Sequence, residues 1–165
     1  MTDMEIIVRR INENTGHGVK IRIDNHALLL KYDTGAKNTV ISIDTLFGKI
    51  PFVVREHIKE AFSKRNLIPR EFVSATGDTF LGYLVCASNV KIDKEVFPKF
   101  YYYVVIENKR SLALLGEDFI DNADYTHLRH DDIKITGFDF DFYEASFTDA
   151  ISEEDMVGII ENVEI

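Results

Sequence analysis

A chain that alternates apolar and polar residues in many short runs, and shows a helical period over only one long stretch, has few folds open to it. Val19, Ile21 and Ile23 alternate with Lys20 and Arg22, and Glu5 to Ile11 reads as a strand before them. Asn12-Glu13-Asn14-Thr15-Gly16-His17-Gly18, between the two, is rich in turn formers. The strand Ala27 to Tyr32 follows the turn Asp24-Asn25-His26, and Thr39 to Ile43 is β-branched and of strand length. Glu71 to Ala75 and Phe80 to Ile92 flank Thr76-Gly77-Asp78-Thr79 as a long hairpin. Pro98 is expected to break the chain ahead of the strand Phe100 to Ile106. Asp132 to Thr136 alternates again, and the pattern runs on through Phe138, Phe140 and Phe142.

The period changes between Pro51 and Asn66. Phe52, Val53, Glu56, His57, Ile58, Ala61 and Phe62 fall mostly on one helical face there, with Pro51 suited to the first turn. Glu117 to Asn122 reads as a short helix with acids at its positive end, and Ser152 as the N-cap of a C-terminal helix with Met156, Ile159, Ile160 and Val163 apolar. Many short strands and one main helix define a mainly β domain. The length of 165 residues suits one such domain over 1–145, followed by an acidic tail over 146–165.

Within this frame one stretch carries chemistry. Leu28-Leu29-Leu30-Lys31-Tyr32-Asp33-Thr34-Gly35-Ala36 is an apolar strand that stops at an acid in a tight turn, where Gly35 is expected to let the chain turn as a larger residue would not. Leu112-Ala113-Leu114-Leu115-Gly116 has the same form of apolar run ending in Gly.

Asp33-Thr34-Gly35-Ala36 resembles the active-site motif of the retropepsin-like aspartic proteases. The order of parts resembles that family too: an apolar strand into the motif, the short strand Thr39 to Ile43, a flap hairpin over Phe72 to Val85, and Leu114-Leu115-Gly116 leading into Glu117-Asp118-Phe119-Ile120. The resemblance spans roughly residues 18–140 and implies an acid-protease β-barrel with a flap, here with one inserted helix. Lys31 and Tyr32 depart from it, standing where the family places apolar residues.

Activating a water for peptide hydrolysis takes one group to accept its proton and another to polarise the carbonyl. Two facing carboxylates that share one proton do both. The sequence holds a single Asp-Thr-Gly, so the second aspartate must come from elsewhere. The resemblance implies a homodimer in which Asp33 meets its symmetry mate, with peptide or protein as substrate. Thr34 then supports the two loops across the axis, Gly35 lets the backbone approach the carboxylates, Ala36 completes the supporting loop, and Leu114, Leu115 and Gly116 brace it from behind. Ala75, Thr76, Gly77 and Asp78 close over the substrate as the flap. The rival reading keeps the dimeric fold as a peptide-binding or assembly module without cleavage, and Lys31 leans towards it, since a cation near the dyad opposes proton sharing.

No cofactor or metal is expected. His127, His130, Asp131 and Asp132 are ligand types close in sequence, but a hydrated turn before Ile133 accounts for them. A net charge of -9 argues against a nucleic-acid partner, and Tyr101-Tyr102-Tyr103 is better read as core and edge packing than as a stacking platform. The lone Cys86 reads as a buried thiol. The acidic start Met1 to Glu5 has no basic region ahead of an apolar stretch, and no apolar run approaches the roughly 18 residues of a bilayer span. No membrane partner and a cytoplasmic location are the expectations.

Overall fold

The computed structural model describes residues 4–12, 16–74, 76–107 and 112–163. Alternating side chains build β1 (Ile6–Asn12), β2 (Gly16–Ile23) and β3 (His26–Tyr32) into an antiparallel meander, with Val19 opposite Leu30. Val19, Ile21 and Ile23 are buried while Lys20 and Arg22 face solvent, as the two faces of a pleated strand require. The turn expected from Asn12 to Gly18 is narrower, because Gly16, His17 and Gly18 already pair with β1. Glu13, Asn14 and Thr15 lie outside the described residues.

Short helices cut into two expected strand runs. β4 (Val40–Ser42) ends early because the Ser42 hydroxyl accepts from the Thr45 N–H (3.3 Å) and opens α1 (Ile43–Phe47). α2 (Phe52–Lys64) follows, with Arg55, Ile58 and Phe62 on its buried face. Pro51 sits at its N-cap rather than in the first turn, and Phe52 and Val53 are exposed.

β5 (Arg70–Val73) and β6 (Thr79–Ile92) form the expected hairpin, with Phe72 opposite Phe80. β6 then turns into β7 (Glu95–Val105), and Pro98 lies inside that strand instead of ending it. It falls between the pairs Ser88–Lys99 and Val90–Phe97, opposite Asn89, whose φ of 54° already interrupts the ladder where Pro has no N–H to give.

β8 (Ala113–Leu115), α3 (Glu117–Ile120), β9 (Ala123–His127) and β10 (Ile133–Phe138) complete the sheet apart from one short strand. β9 has no alternating signature and is largely exposed; it is held by pairing with β10. The alternation expected through Phe142 stops at Phe138, because the Asp139 carboxylate accepts from the Phe142 N–H (3.1 Å) and caps α4 (Phe140–Ala145).

Six strands close into a barrel. β2 pairs β3, β3 pairs β8, β8 pairs β4, β4 pairs β7, β7 pairs β6, and β6 returns to β2 at Ile21–Ile92. β1, β10 and β9 extend from β2. The main core gathers Leu30, Ile41, Phe62, Phe97, Tyr102 and Phe119, and a separate cluster of Val40, Phe80, Tyr103 and Val105 packs with Phe72 and Leu112. All three consecutive tyrosines, Tyr101 to Tyr103, are buried.

The C-terminal segment is laid against this barrel. β11 (Ile151–Ser152) runs parallel to β6, and Ser152 caps α5 (Glu153–Glu161) by accepting from the Asp155 N–H (3.1 Å). Met156 and Ile159 enter the main core, while Glu154, Asp155 and Glu161 stay outside. Among the described residues no helix is long and apolar enough to cross a membrane.

The inserted α2 is fastened by a buried cation. Arg55 is 4% exposed; its Nη1 donates to the Ile106 carbonyl (2.7 Å) and its Nη2 to Asp44 Oδ1, which also accepts from the Ile50 N–H (3.1 Å). Burial pushes the Asp44 carboxyl up, but the Arg55 hydrogen bond, the Ile50 N–H and the guanidinium charge outweigh it and hold the group below the usual carboxylate range. A depressed carboxyl stabilises the fold above its unfolded-state value, and that stability is lost as pH falls through the folded value. Asp44→Asn is therefore expected to cost about 3–5 kcal/mol at pH 7. In urea titrations from pH 7 to pH 3, its stability should fall less steeply with acid than that of the unsubstituted protein.

Candidate active site

Asp33 is the first residue beyond β3, and neighbouring backbone fixes its position. Its N–H donates to the Leu115 carbonyl (3.0 Å), its own carbonyl accepts from the Ala36 N–H (3.2 Å), and its Oδ1 accepts from the Gly35 N–H (2.9 Å). The side chain is half-buried, and Thr34 and Gly35 beside it are exposed. A carboxylate is thus presented at the surface on a backbone that has little freedom to move.

That rigidity comes from β8, which threads between the two strands flanking the turn. It runs parallel to β3, with Lys31 opposite Leu114, and antiparallel to β4, with Val40 also opposite Leu114. Past β8 the chain crosses directly behind the turn: the Glu117 N–H donates to the Ala36 carbonyl (2.8 Å) and the Asp118 N–H to the Lys37 carbonyl (3.1 Å). A Cβ on Gly116 would stand 2.5 Å from the Asn38 carbonyl oxygen and 2.9 Å from that of Ala36, so only glycine permits the crossing. Leu114, Leu115 and Gly116 are in this way brought against the Asp33 turn.

Gly35 behaves differently from the expectation. Its φ lies outside the left-handed region, and an added Cβ would meet only Asp33 Oδ1, at 3.3 Å. Within one chain the turn does not need a glycine there. The glycine that the geometry demands is Gly116.

Two polar residues that sequence reasoning did not single out complete the bracket. Thr39 is buried; its N–H donates to Asp118 Oδ2 (3.0 Å), its hydroxyl donates to Asp118 Oδ1 (2.7 Å), and its Oγ1 accepts from the Gly116 N–H (3.1 Å). Burial lifts the Asp118 carboxyl above the ordinary range despite the opposing hydrogen bonds from Thr39. Both its oxygens are taken behind the turn, so Asp118 holds the loop from the back. The signal for it was an acid placed directly before the buried Phe119 and Ile120 in a short helix.

The departures Lys31 and Tyr32 take opposite faces of β3, Lys31 exposed and Tyr32 buried. Lys31 is exposed, its Cε lies 4.0 Å from where a Gly16 Cβ would stand, and it forms no ion pair with Asp33. Tyr32 is buried, and that burial, with the nearby Tyr125 and Asp121, pushes its hydroxyl above the usual phenol range.

At the hairpin tip the Ser74 N–H donates to the Asp78 carbonyl (2.8 Å), the Gly77 N–H to the Ser74 carbonyl (3.0 Å), and the Thr76 hydroxyl to Asp78 Oδ2 (3.2 Å). Gly77 has φ +90°, which fits its glycine. Ala75 lies outside the described residues. Cys86 takes no part: it lines a cavity of about 940 Å³ between β6 and α5, with Lys91 and Glu153, and burial pushes its thiol up, away from the reactive thiolate.

A closed barrel with a strand threaded behind an acid-bearing turn, and a hairpin on a neighbouring strand, is the architecture of the retropepsin-like acid proteases. The crystal structure of a retropepsin-like aspartic protease from Rickettsia conorii is similar to this chain, with a TM-score of 0.51 and 17% identity over 79% of this chain and 98% of that one. The fold is therefore retropepsin-like. No family model and no curated protein sequence matches the chain.

Substitution at the crossing separates the two glycines. Gly116→Ala is expected to destabilise the domain by about 3 kcal/mol, because the atoms it meets are backbone with nowhere to move. Gly35→Ala should change the unfolding midpoint of the isolated subunit little. Thermal denaturation of both variants measures the contrast.

Proposed function

We propose that the chain is an aspartic endopeptidase, active as a homodimer. The observation that carries this reading is Asp33, half-buried at the end of a barrel strand, its N–H donating to the Leu115 carbonyl and its carboxylate accepting from the Gly35 N–H, in a fold shared with a retropepsin-like protease. Asp118, an acid behind the turn, accepts from Thr39 with both oxygens, and in this reading the second carboxylate comes from a partner chain. A two-fold axis beside the turn brings Asp33 against the partner's Asp33.

Two like charges that close share a proton. The ionised member accepts a proton from water, whose oxygen attacks the peptide carbonyl carbon, while the protonated member donates to the carbonyl oxygen. Collapse of the tetrahedral intermediate then breaks the C–N bond as a proton passes to the leaving nitrogen. The exposed Thr34 and the small Gly35 suit a surface that meets its own copy closely, and the hairpin tip at Thr76, Gly77 and Asp78 suits a flap over an extended peptide. Lys31 is exposed and forms no ion pair with Asp33, so the charge it places near the dyad is screened by solvent.

Digestion of a peptide library across acidic to neutral pH should give cleavage with a bell-shaped pH profile, and Asp33→Asn should reduce it to background while keeping the same unfolding midpoint. Sedimentation should show a dimer at working concentration. Cleavage that survives in Asp33→Asn, or an active monomer, rejects the shared dyad; binding of peptides without cleavage assigns the domain to recognition alone.

A further inference from the structure

The root of the hairpin and the bracket behind Asp33 are joined through β7. Tyr103 of that strand touches both. Its N–H donates to the Thr39 carbonyl (2.9 Å), and Thr39 is the residue whose amide and hydroxyl are held by Asp118 and whose Oγ1 receives the Gly116 N–H. On its other side the Tyr103 ring stands edge-on to Phe72 of β5, with centroids 5.0 Å apart, and Phe72 stacks on Phe80 at 5.6 Å. The Arg70 guanidinium lies 5.7 Å from the Phe72 ring and 5.8 Å from the Tyr103 ring, and its Nη1 donates to the Tyr103 hydroxyl (3.4 Å).

The contact is built to be close. Gly82 of β6 lies beneath it, and a Cβ there would stand 2.9 Å from Phe72 Cε2 and 3.0 Å from Tyr103 Cβ. The cluster formed by Val40, Phe80, Tyr103 and Val105 is separate from the main core, so the hairpin root packs on β7 and on Val40 of β4 rather than on the main core. β5 pairs with β6 over only four residues, from Arg70 to Val73, which leaves this aromatic contact as a large share of what fixes the hairpin's angle.

We infer that Tyr103 is a positioning residue that couples the hairpin to the Asp33 turn, with Arg70 and Phe72 as its partners on the hairpin side. A movement of the hairpin root displaces the Tyr103 ring, and the Tyr103 backbone carries that displacement to Thr39 and so to the bracket. The inference rests on the reading of the hairpin as a flap over Asp33, and it names the residue through which a peptide held by the flap is felt at the acid.

Hydrogen exchange of the full chain tests the coupling without any need for catalysis. Tyr103→Leu removes the ring, and Gly82→Ala wedges Phe72 and Tyr103 apart while keeping both. In each variant, exchange should quicken by about tenfold or more at Phe72, Ser74 and Gly77 and together with them at Thr39 and Gly116, while Val8 in β1 and Val19 in β2 stay as they were. Faster exchange at the hairpin alone makes the contact local, and a uniform rise across the barrel makes Tyr103 an ordinary core residue; either result, or no change, overturns the inference. Should Tyr103→Leu fail to fold, Gly82→Ala still decides. Because exchange is read in the absence of substrate, a lack of peptidase activity would defeat the proposed function while leaving this result standing.

Discussion

The whole arrangement depends on two backbone segments touching without a side chain between them. Where Gly116 passes Asn38 and Ala36, the strand that threads the loop comes closer than any Cβ allows, and the hydrogen bonds from Glu117 and Asp118 into the turn follow from that closeness. Widen the crossing and Asp33 loses the Leu115 carbonyl, Thr39 loses the Gly116 amide, and the barrel loses the strand that joins β3 to β4. The carboxylate is well placed because something distant in sequence is small.

Much of this was legible in the sequence, for reasons that differ by element. Strands with one face in the core, such as β2, announce themselves by alternation, and α2 by its period, because burial writes the pattern. α1 and α4 did not, since helices of five and six residues are set by their caps, Ser42 and Asp139, more than by any repeat. β9 is an exposed edge with nothing to alternate, and Pro98 misled because its tolerance depends on Asn89 in another strand.

The site divides along the same line. Asp33-Thr34-Gly35-Ala36 is contiguous and so was readable, as was the run ending in Gly116. The bond between Thr39 and Asp118 joins residues 79 apart and is visible only once the strands are threaded. Gly35 shows the reverse error: a glycine in a turn invites a conformational explanation, yet the backbone there is one other residues adopt and an added Cβ would meet only Asp33 Oδ1.

The short parallel pairing of Ile151 and Ser152 with Val85 and Cys86 bears on a different hazard. β6 is fourteen residues long, and on the edge away from β7 it is covered in turn by β5, β11 and β2. Without β11 and the α5 that follows it, the middle of that edge would be an unsatisfied row of amides and carbonyls in an apolar strand, the kind of template on which other chains add and aggregates grow. The C-terminal segment therefore acts as a sheath, keeping the longest strand of the barrel from recruiting neighbours.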